Sequence, residues 1–169
     1  MENNNKHIDK KLVSKFKSCR LLVLDFDGVL TDNKVYVDEN GKEMVMCDRG
    51  DGLGIELLKQ KTDIGIVIIS KEKNKVVAMR AQKIGVECMQ GVDDKLSIIK
   101  RYIAKKGLSV KEVCFVGNDV NDIECLKNVG LSVAVRDSHS EVLKNVDYIT
   151  LADGGRGAVR EICDKIINS

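Results

Sequence analysis

The sequence predicts an α/β fold, a doubly wound and mostly parallel sheet flanked by helices, of the Rossmann-like type. Three short aliphatic runs, at 21–24, 64–69 and 113–116, contain almost no polar residues. Such runs are typical of parallel strands that are buried on both faces. Segments with helical spacing of apolar residues separate them, and this alternation favours a parallel sheet with crossover helices. The chain has no internal repeat or low-complexity block.

The first half of the chain predicts two buried strands with a hairpin between them. Strand one is 21–24, and the run 34–47 carries apolar triplets on both sides of Asp-Glu-Asn-Gly, which is typical of a hairpin. Apolar positions 53, 55, 57 and 58 predict a helix to about residue 61, followed by strand two at 64–69. Residues 1–17 are mostly polar, so we expect a lead-in followed by a single domain at 18–169.

The second half continues the alternation to the end of the chain. Apolar residues at helical spacing, as at 96, 99 and 103, mark helices, and short apolar runs mark strands. In order, these patterns predict a helix over 74–84, a strand over 86–89, a helix over 93–106, a strand over 113–116, a helix over 121–128, a strand over 131–135, a helix over 139–144, a strand over 148–150 and a helix over 157–167.

The composition argues against several classes of protein. The 169 residues are 43% hydrophobic and 32% charged, which disfavours disorder, collagen and a coiled coil. A net charge of +2 gives no argument for a nucleic-acid partner. The amino terminus has no apolar leader and no run is long enough to span a bilayer, so we expect a cytoplasmic protein with no membrane partner. The six cysteines form no CxxC pair and are expected to be reduced.

Four polar features follow predicted strands, at the edge where an open α/β sheet gathers functional groups. They are DFDGVLTD at 25–32, Ser70, Lys95 at a helix start, and Gly-Asn-Asp at 117–119 with Asp122 after it. Asp25 and Asp27 would repel each other unless a cation or a shared proton lies between them. The set offers a carboxylate nucleophile, an acid–base carboxylate, phosphate-binding groups and oxygen ligands that suit Mg²⁺. This combination predicts phosphoryl transfer.

These motifs, in this order and spacing, resemble those of the haloacid dehalogenase superfamily of aspartyl phosphatases over residues 18–167. The resemblance implies that Asp25 is the nucleophile that forms an aspartyl-phosphate. It implies that Asp27 protonates the leaving alcohol and then activates water. It also implies that Ser70 and Lys95 hold the transferring phosphoryl group.

The resemblance further implies a bound Mg²⁺. Its ligands would be the Asp25 carboxylate, the Asp27 backbone carbonyl and the residue after Gly117. That residue is Asn118 here, whereas the family often has Asp at this position. Whether Asn118 alone or Asn118 with Asp119 serves the metal stays open, and we count Asp119 with the catalytic residues.

A narrower resemblance is to the capless sugar-acid phosphatases of this superfamily. Only a hairpin follows Asp25, and 25 residues separate Ser70 from Lys95, which leaves no room for a cap domain. The segments LDFDGVLTD, DGLGI, GLSVAV and GGRGAVREIC are similar to those of phosphatases acting on 3-deoxy-octulosonate 8-phosphate or on nonulosonate 9-phosphates. The resemblance implies a homotetramer in which a neighbouring subunit covers the open active site.

One departure indicates the substrate within this group. The octulosonate enzymes usually have Thr-Gly-Arg after strand two, whereas this chain has Ser-Lys-Glu at 70–72. Glu72 with Arg80 resembles the nine-carbon branch, so we expect a nonulosonate (sialic-acid-type) 9-phosphate, with the octulosonate 8-phosphate as the alternative. The expected substrate-binding residues are Arg49, Asp51, Glu72, Arg80 and Arg156.

Alternatives to this function, and to single residues of the site, stay open. A signalling receiver domain shares the fold but places its phosphorylated Asp elsewhere, and a non-catalytic oligomerisation module related to cytidylyltransferase tails would not need the catalytic set. Single residues also have structural interpretations: Ser70 as a helix N-cap, Lys95 as a surface lysine, Glu72 and Arg80 as a solvated pair, Arg156 as a loop residue, and Arg49 and Asp51 as part of a helix start.

Overall fold

The computed structural model describes residues 10–169 and has the predicted α/β architecture. The strands in this range are β1 (Leu21–Leu24), β2 (Thr31–Val37), β3 (Glu43–Cys47), β4 (Gly65–Ile69), β5 (Glu87–Met89), β6 (Val113–Gly117), β7 (Leu131–Ala134) and β8 (Tyr148–Ile149). The α-helices are α1 (Lys10–Lys17), α2 (Arg49–Lys61), α3 (Lys75–Ile84), α4 (Lys95–Lys106), α5 (Ile123–Asn128), α6 (Ser140–Leu143) and α7 (Ala158–Ile167). Short 3₁₀ turns precede β6 and α5.

Six strands form one parallel sheet in the order β5-β4-β1-β6-β7-β8. The central strand β1 pairs with β4 and β6, so that Leu24 lies opposite Ile68 and Val116. The hairpin β2–β3 is separate from this sheet. The carboxyl ends of β1, β4 and β6 therefore meet at one edge. The predicted doubly wound fold, with a hairpin after strand one, is confirmed, and no cap domain interrupts residues 10–169.

Two apolar layers cover the two faces of the sheet, because side chains alternate along each strand. Leu22 and Leu24 pack in the layer that contains residues of α2, α3 and α7. Leu21 and Val23 pack in the opposite layer, with residues of α4, α5 and α6. Burial on both faces explains why β1 contains only aliphatic residues.

Most predicted boundaries agree with the structure to within two residues, and two differ for local reasons. Helix α2 begins at Arg49 instead of 53, because the Asp48 side chain caps it by accepting the N–H groups of Gly50 and Asp51. Strand β2 begins at Thr31 instead of 34. The Thr31 hydroxyl accepts the N–H of Gly28, which closes the preceding loop and sets the start of the strand.

Part of the predicted lead-in is ordered as helix α1. Phe16 is buried against the core, and Lys15 forms an ion pair with Asp147 at 2.5 Å. The rest of the lead-in, including His7, lies outside the described residues, so the division at residue 17 stays a prediction. The six cysteines all fall within the described part of the chain and are unpaired. Among residues 10–169, the helices are too short or too polar to cross a membrane.

Candidate active site

The carboxyl ends of β1, β4 and β6 surround a cavity of about 140 Å³. The residues that line it are Asp25, Asp27, Asn33, Ser70, Lys71, Glu72, Asn118, Asp119 and Asn121. They come from segments that are distant in sequence, and parallel pairing of the three strands brings them together. The predicted gathering of the motifs at this edge is therefore what the structure shows.

A buried ion triad lies beside this cavity. Lys95 Nζ is 2.8 Å from Asp25 Oδ1 and 2.8 Å from Asp122 Oδ1, and all three side chains are nearly inaccessible to water. Asp94 caps α4 by accepting the N–H of Ser97, so the helix begins at Lys95 and places its ammonium group inward. Lys95 is therefore not a surface lysine.

Burial is the main reason why both aspartates of the first motif have raised pKa values. Burial, and then repulsion from Asp122, raises the pKa of Asp25 to about 7, although Lys95 opposes the shift. Burial, and then repulsion from Glu72, raises the pKa of Asp27 above its ordinary value. A raised pKa favours the protonated form of Asp27, which is the form that a proton donor needs.

The oxygen atoms needed for a hard cation converge at the end of β1. One amide atom of Asn118 lies 3.0 Å from the Asp27 carbonyl oxygen and 3.3 Å from Asp25 Oδ2. With the amide oxygen in this position, a carboxylate, a carbonyl and an amide oxygen face one point, which is the donor set that Mg²⁺ prefers. Residues 10–169 contain no cluster of three or more His, Cys, Asp or Glu that could hold a metal. The set does not need such a cluster, because the Asp27 carbonyl and the Asn118 amide supply oxygen atoms beside the Asp25 carboxylate, and it fits a magnesium ion at this position.

Glycine at position 28 is required for this arrangement. Gly28 has a φ of 82°, and a Cβ there would lie 2.0 Å from the Asn118 side chain. Asp119 is arranged differently, because its carboxylate accepts the N–H of Val120 and caps the following turn. Asn118 thus approaches Asp25 and Asp27, while the Asp119 carboxylate, which also lines the cavity, is engaged in this cap.

Ser70 is buried at the end of β4 and lines the cavity. Its hydroxyl accepts the N–H of Glu72 at 3.1 Å, and its own N–H donates to the Met89 carbonyl on the neighbouring strand β5. The N-cap of α3 is Asn74. The interpretation of Ser70 as a helix cap is therefore wrong, and its hydroxyl remains positioned to donate to a ligand.

The predicted substrate residues are only partly brought to this cavity. Glu72 lines it. Arg49 and Arg80 line a different cavity of about 490 Å³ between α2 and α3, where Arg80 Nη2 donates to the Asp48 carbonyl at 2.8 Å. Arg156 is exposed beside α7, with Nη2 3.8 Å from Asp32 Oδ2. Within this single chain, none of the three arginines lines the catalytic cavity.

The prediction that Asp51 binds substrate is corrected by the structure. Its side chain is fully buried where α2 packs against α7, and its Oδ1 accepts the Arg160 N–H at 2.8 Å. Burial raises the pKa of Asp51 to about 6. Asp51 therefore joins two helices of the core and has no surface left for a ligand.

The sequence analysis included Asp122 in the fourth motif without a role of its own, and in the structure this residue organises the site. Besides its contact with Lys95, its Oδ2 accepts the N–H of Asn118 at 2.9 Å. The signal in the sequence was its position one helical turn after Asn118. Asp122 thus fixes both the ammonium group and the loop that carries Asn118.

Comparisons with known proteins agree with this geometry. The family model of haloacid dehalogenase-like hydrolases matches residues 55–162. The 3-deoxy-D-manno-octulosonate 8-phosphate phosphatase KdsC of Escherichia coli (strain K12) is 37% identical over 161 residues, which cover 95% of this chain and 85% of that protein.

Two solved structures superpose closely on the chain. The 3-deoxy-D-manno-octulosonate 8-phosphate phosphatase from Yersinia pestis gives a TM-score of 0.91 at 36% identity, covering 94% of this chain and 86% of that one. The enzyme of the same name from Moraxella catarrhalis, solved in complex with a magnesium ion, a phosphate ion and a KDO molecule, gives a TM-score of 0.90 at 31% identity. That match covers 94% of this chain and 91% of the other.

Proposed function

The chain belongs to the haloacid dehalogenase-like hydrolase family, and from this premise we propose that it dephosphorylates a sugar acid through an aspartyl-phosphate at Asp25. It is a phosphoric monoester hydrolase that uses Mg²⁺. One observation carries the proposed mechanism: Asp25 stands at the end of the central strand, with Lys95 on one carboxylate oxygen and the Asn118 amide near the other.

The proposed reaction has two steps. A carboxylate oxygen of Asp25 attacks phosphorus, and the bond from phosphorus to the alcohol oxygen breaks as Asp27 gives that oxygen a proton. In the second step the Asp27 carboxylate takes a proton from water, whose oxygen attacks the phosphorus of the aspartyl-phosphate. Inorganic phosphate leaves, and Asp25 is again a carboxylate while Asp27 is again protonated.

The surrounding groups would stabilise the negative charge of the phosphoryl group. The Lys95 ammonium and the Ser70 hydroxyl would donate hydrogen bonds to its oxygens. Asp25, the Asp27 carbonyl and Asn118 would bind Mg²⁺, which, when bound, screens repulsion between an anionic nucleophile and an anionic phosphate. Asp122 holds Lys95 in place through their 2.8 Å contact.

We propose 3-deoxy-D-manno-octulosonate 8-phosphate as the substrate. The support is that the curated relatives at 36–37% identity carry that substrate in their names. The nine-carbon 9-phosphate expected from the sequence finds no support in those names. It remains the second candidate on one observation: Glu72, where the octulosonate enzymes usually have Arg, lines the catalytic cavity beside Asp27.

A neighbouring subunit is part of this proposal. Hairpin β2–β3 exposes five large apolar side chains, Val35, Tyr36, Val37, Met44 and Met46. An exposed apolar patch of this kind favours contact with another protein surface. We propose that hairpins pack together in a homotetramer, and that Arg49, Arg80 and Arg156 reach substrate across such contacts. The unpaired cysteines favour a reducing compartment such as the cytoplasm.

The test of the substrate proposal is phosphate release with Mg²⁺, and with chelator as control, from the eight-carbon acid, two nonulosonate 9-phosphates and a hexose phosphate. Highest kcat/KM on the eight-carbon acid supports the proposal. A higher kcat/KM on a nine-carbon acid contradicts it and favours the second candidate, a nonulosonate 9-phosphate. Release from none of the substrates contradicts catalysis and favours an assembly module.

A further inference from the structure

A second cavity, of about 340 Å³, adjoins the catalytic cavity. It lies between the hairpin and the start of α3. Three residues, Asp27, Asn33 and Glu72, line both cavities. Because Asp27 is the proposed proton donor to the leaving oxygen, the group bonded to that oxygen lies in reach of this second cavity.

The walls of the second cavity differ in chemistry. Val35 and Val45 of the hairpin and Val76 and Val77 of α3 supply an apolar side. Glu43, Glu72 and Asn74 supply polar groups. No arginine or lysine lines it, so among the described lining residues the only formal charges are negative. Such walls suit carbon–hydrogen faces and hydroxyl donors, and they repel anions.

A hydrogen bond between two of the lining residues joins the hairpin to α3. Asn74 Nδ2 donates to Glu43 Oε2 at 2.5 Å, which joins β3 to the start of α3. Asn74 is itself held, because its Oδ1 accepts the Val76 N–H and its own N–H donates to Gln90 Oε1 at 3.0 Å. Glu43 is thereby held at the cavity with its charge in place.

Asn33 stands where the two cavities join. Its φ of 60° is positive, and no other non-glycine residue in 10–169 has a positive φ. Backbone strain of this kind is concentrated at functional sites. The Thr31 hydroxyl accepts the Asn33 N–H at 3.3 Å and supports this conformation. An amide at the junction can both donate to and accept from a substrate hydroxyl.

We propose that the second cavity is the subsite for the leaving alcohol, and that Glu43 and Glu72 select a neutral polyhydroxyl segment next to the phosphate while excluding a second anion there. This inference rests on the proposed phosphatase function. It also orients the substrate. A sugar acid phosphorylated at its last carbon carries its carboxylate at the opposite end, so its polyol end fits the subsite and its carboxylate lies outside.

Two small substrates of similar size test the subsite. Glycerol 1-phosphate places hydroxyls beside the phosphate, whereas phosphoglycolate places a carboxylate there. We would measure kcat/KM for both in the wild type, Glu43→Gln and Glu72→Gln, with p-nitrophenyl phosphate as a reference for the chemistry. Glutamine retains an oxygen that can accept from Asn74, so Glu43→Gln removes the charge and keeps the hydrogen bond. Glu39→Gln, in the exposed hairpin loop, is the matched control.

The expected result is a wild-type preference for glycerol 1-phosphate. Each substitution should raise the phosphoglycolate-to-glycerol-phosphate ratio about tenfold, the effect of removing one nearby like charge, and Glu39→Gln should leave it unchanged. An unchanged ratio in both variants, or a wild-type preference for phosphoglycolate, overturns the subsite while p-nitrophenyl phosphate turnover still supports the phosphatase. Absence of wild-type turnover on every substrate contradicts the phosphatase and the subsite together.

Discussion

Replacing Lys95 with Met should destabilise the fold and abolish phosphate release. Lys95 Nζ lies 2.8 Å from one oxygen each of Asp25 and Asp122, and its side chain is 3% exposed. Methionine fills similar space but leaves two buried carboxylates facing each other without a cation. Removing one partner from a buried ion pair costs about 3–5 kcal/mol. We expect a loss of that size in the free energy of unfolding.

Urea unfolding in the presence of chelator measures this loss, because no metal ion then offsets the two carboxylates. Circular dichroism is the signal of choice, since the chain has no Trp. The double variant with Asp122→Asn should regain about 1–3 kcal/mol, because it removes one of the opposed charges. Lys100→Met, on the exposed side of α4, should stay within about 0.5 kcal/mol of the wild type. A Lys95→Met variant as stable as Lys100→Met would refute the buried triad.

Three further outcomes follow from the structure. Asp25→Asn should lower Mg²⁺-dependent phosphate release by at least about 10³-fold with an unchanged circular dichroism spectrum, because an amide cannot attack phosphorus; wild-type turnover would contradict its role as nucleophile. Gly28→Ala should abolish the rise in Tm caused by Mg²⁺, because its Cβ would lie 2.0 Å from Asn118; Gly41→Ala, also at positive φ but with open space around it, should retain that rise. Burial raises the pKa of Asp51 from 3.8 to about 6, so its contribution to stability is full below pH 3.8 and is lost as pH rises through 6. Between about pH 4 and pH 7 the wild type should therefore lose about 3 kcal/mol of unfolding free energy relative to Asp51→Asn. A difference that stays constant over this range would contradict the raised pKa of Asp51.

The strands and the catalytic residues at their carboxyl ends were predictable, because local sequence patterns determine them. Aliphatic runs locate β1, β4 and β6, and parallel pairing then places Asp25, Ser70 and Asn118 at one edge. The residue types at those ends predicted phosphoryl transfer, and the resemblance of the motifs to a known family narrowed this to a phosphatase. No knowledge of side-chain positions was needed for that step.

The places of the residues around the catalytic set were not predictable, because they depend on how the helices and the hairpin pack together. Asp51 follows a turn-like segment that also suits a ligand loop, and only the contact of α2 with α7 buries it. Arg80 lies eight residues beyond Glu72, inside α3, and the direction of this helix carries its side chain to the cavity it shares with Arg49. No sequence motif marks Glu43 in the hairpin. Its contact with Asn74 appears only when the hairpin is placed against α3.

The most direct test of the account is chemical trapping of the covalent intermediate. Enzyme turning over a sugar-acid phosphate with Mg²⁺ is quenched in acid and treated with borohydride, which reduces an acyl phosphate to an alcohol. The account predicts homoserine at position 25 in peptide mass spectra, and none in the Asp25→Asn variant. Reduction at Asp27, Asp119 or Asp122 instead, or phosphate release with no reduced residue, would contradict it.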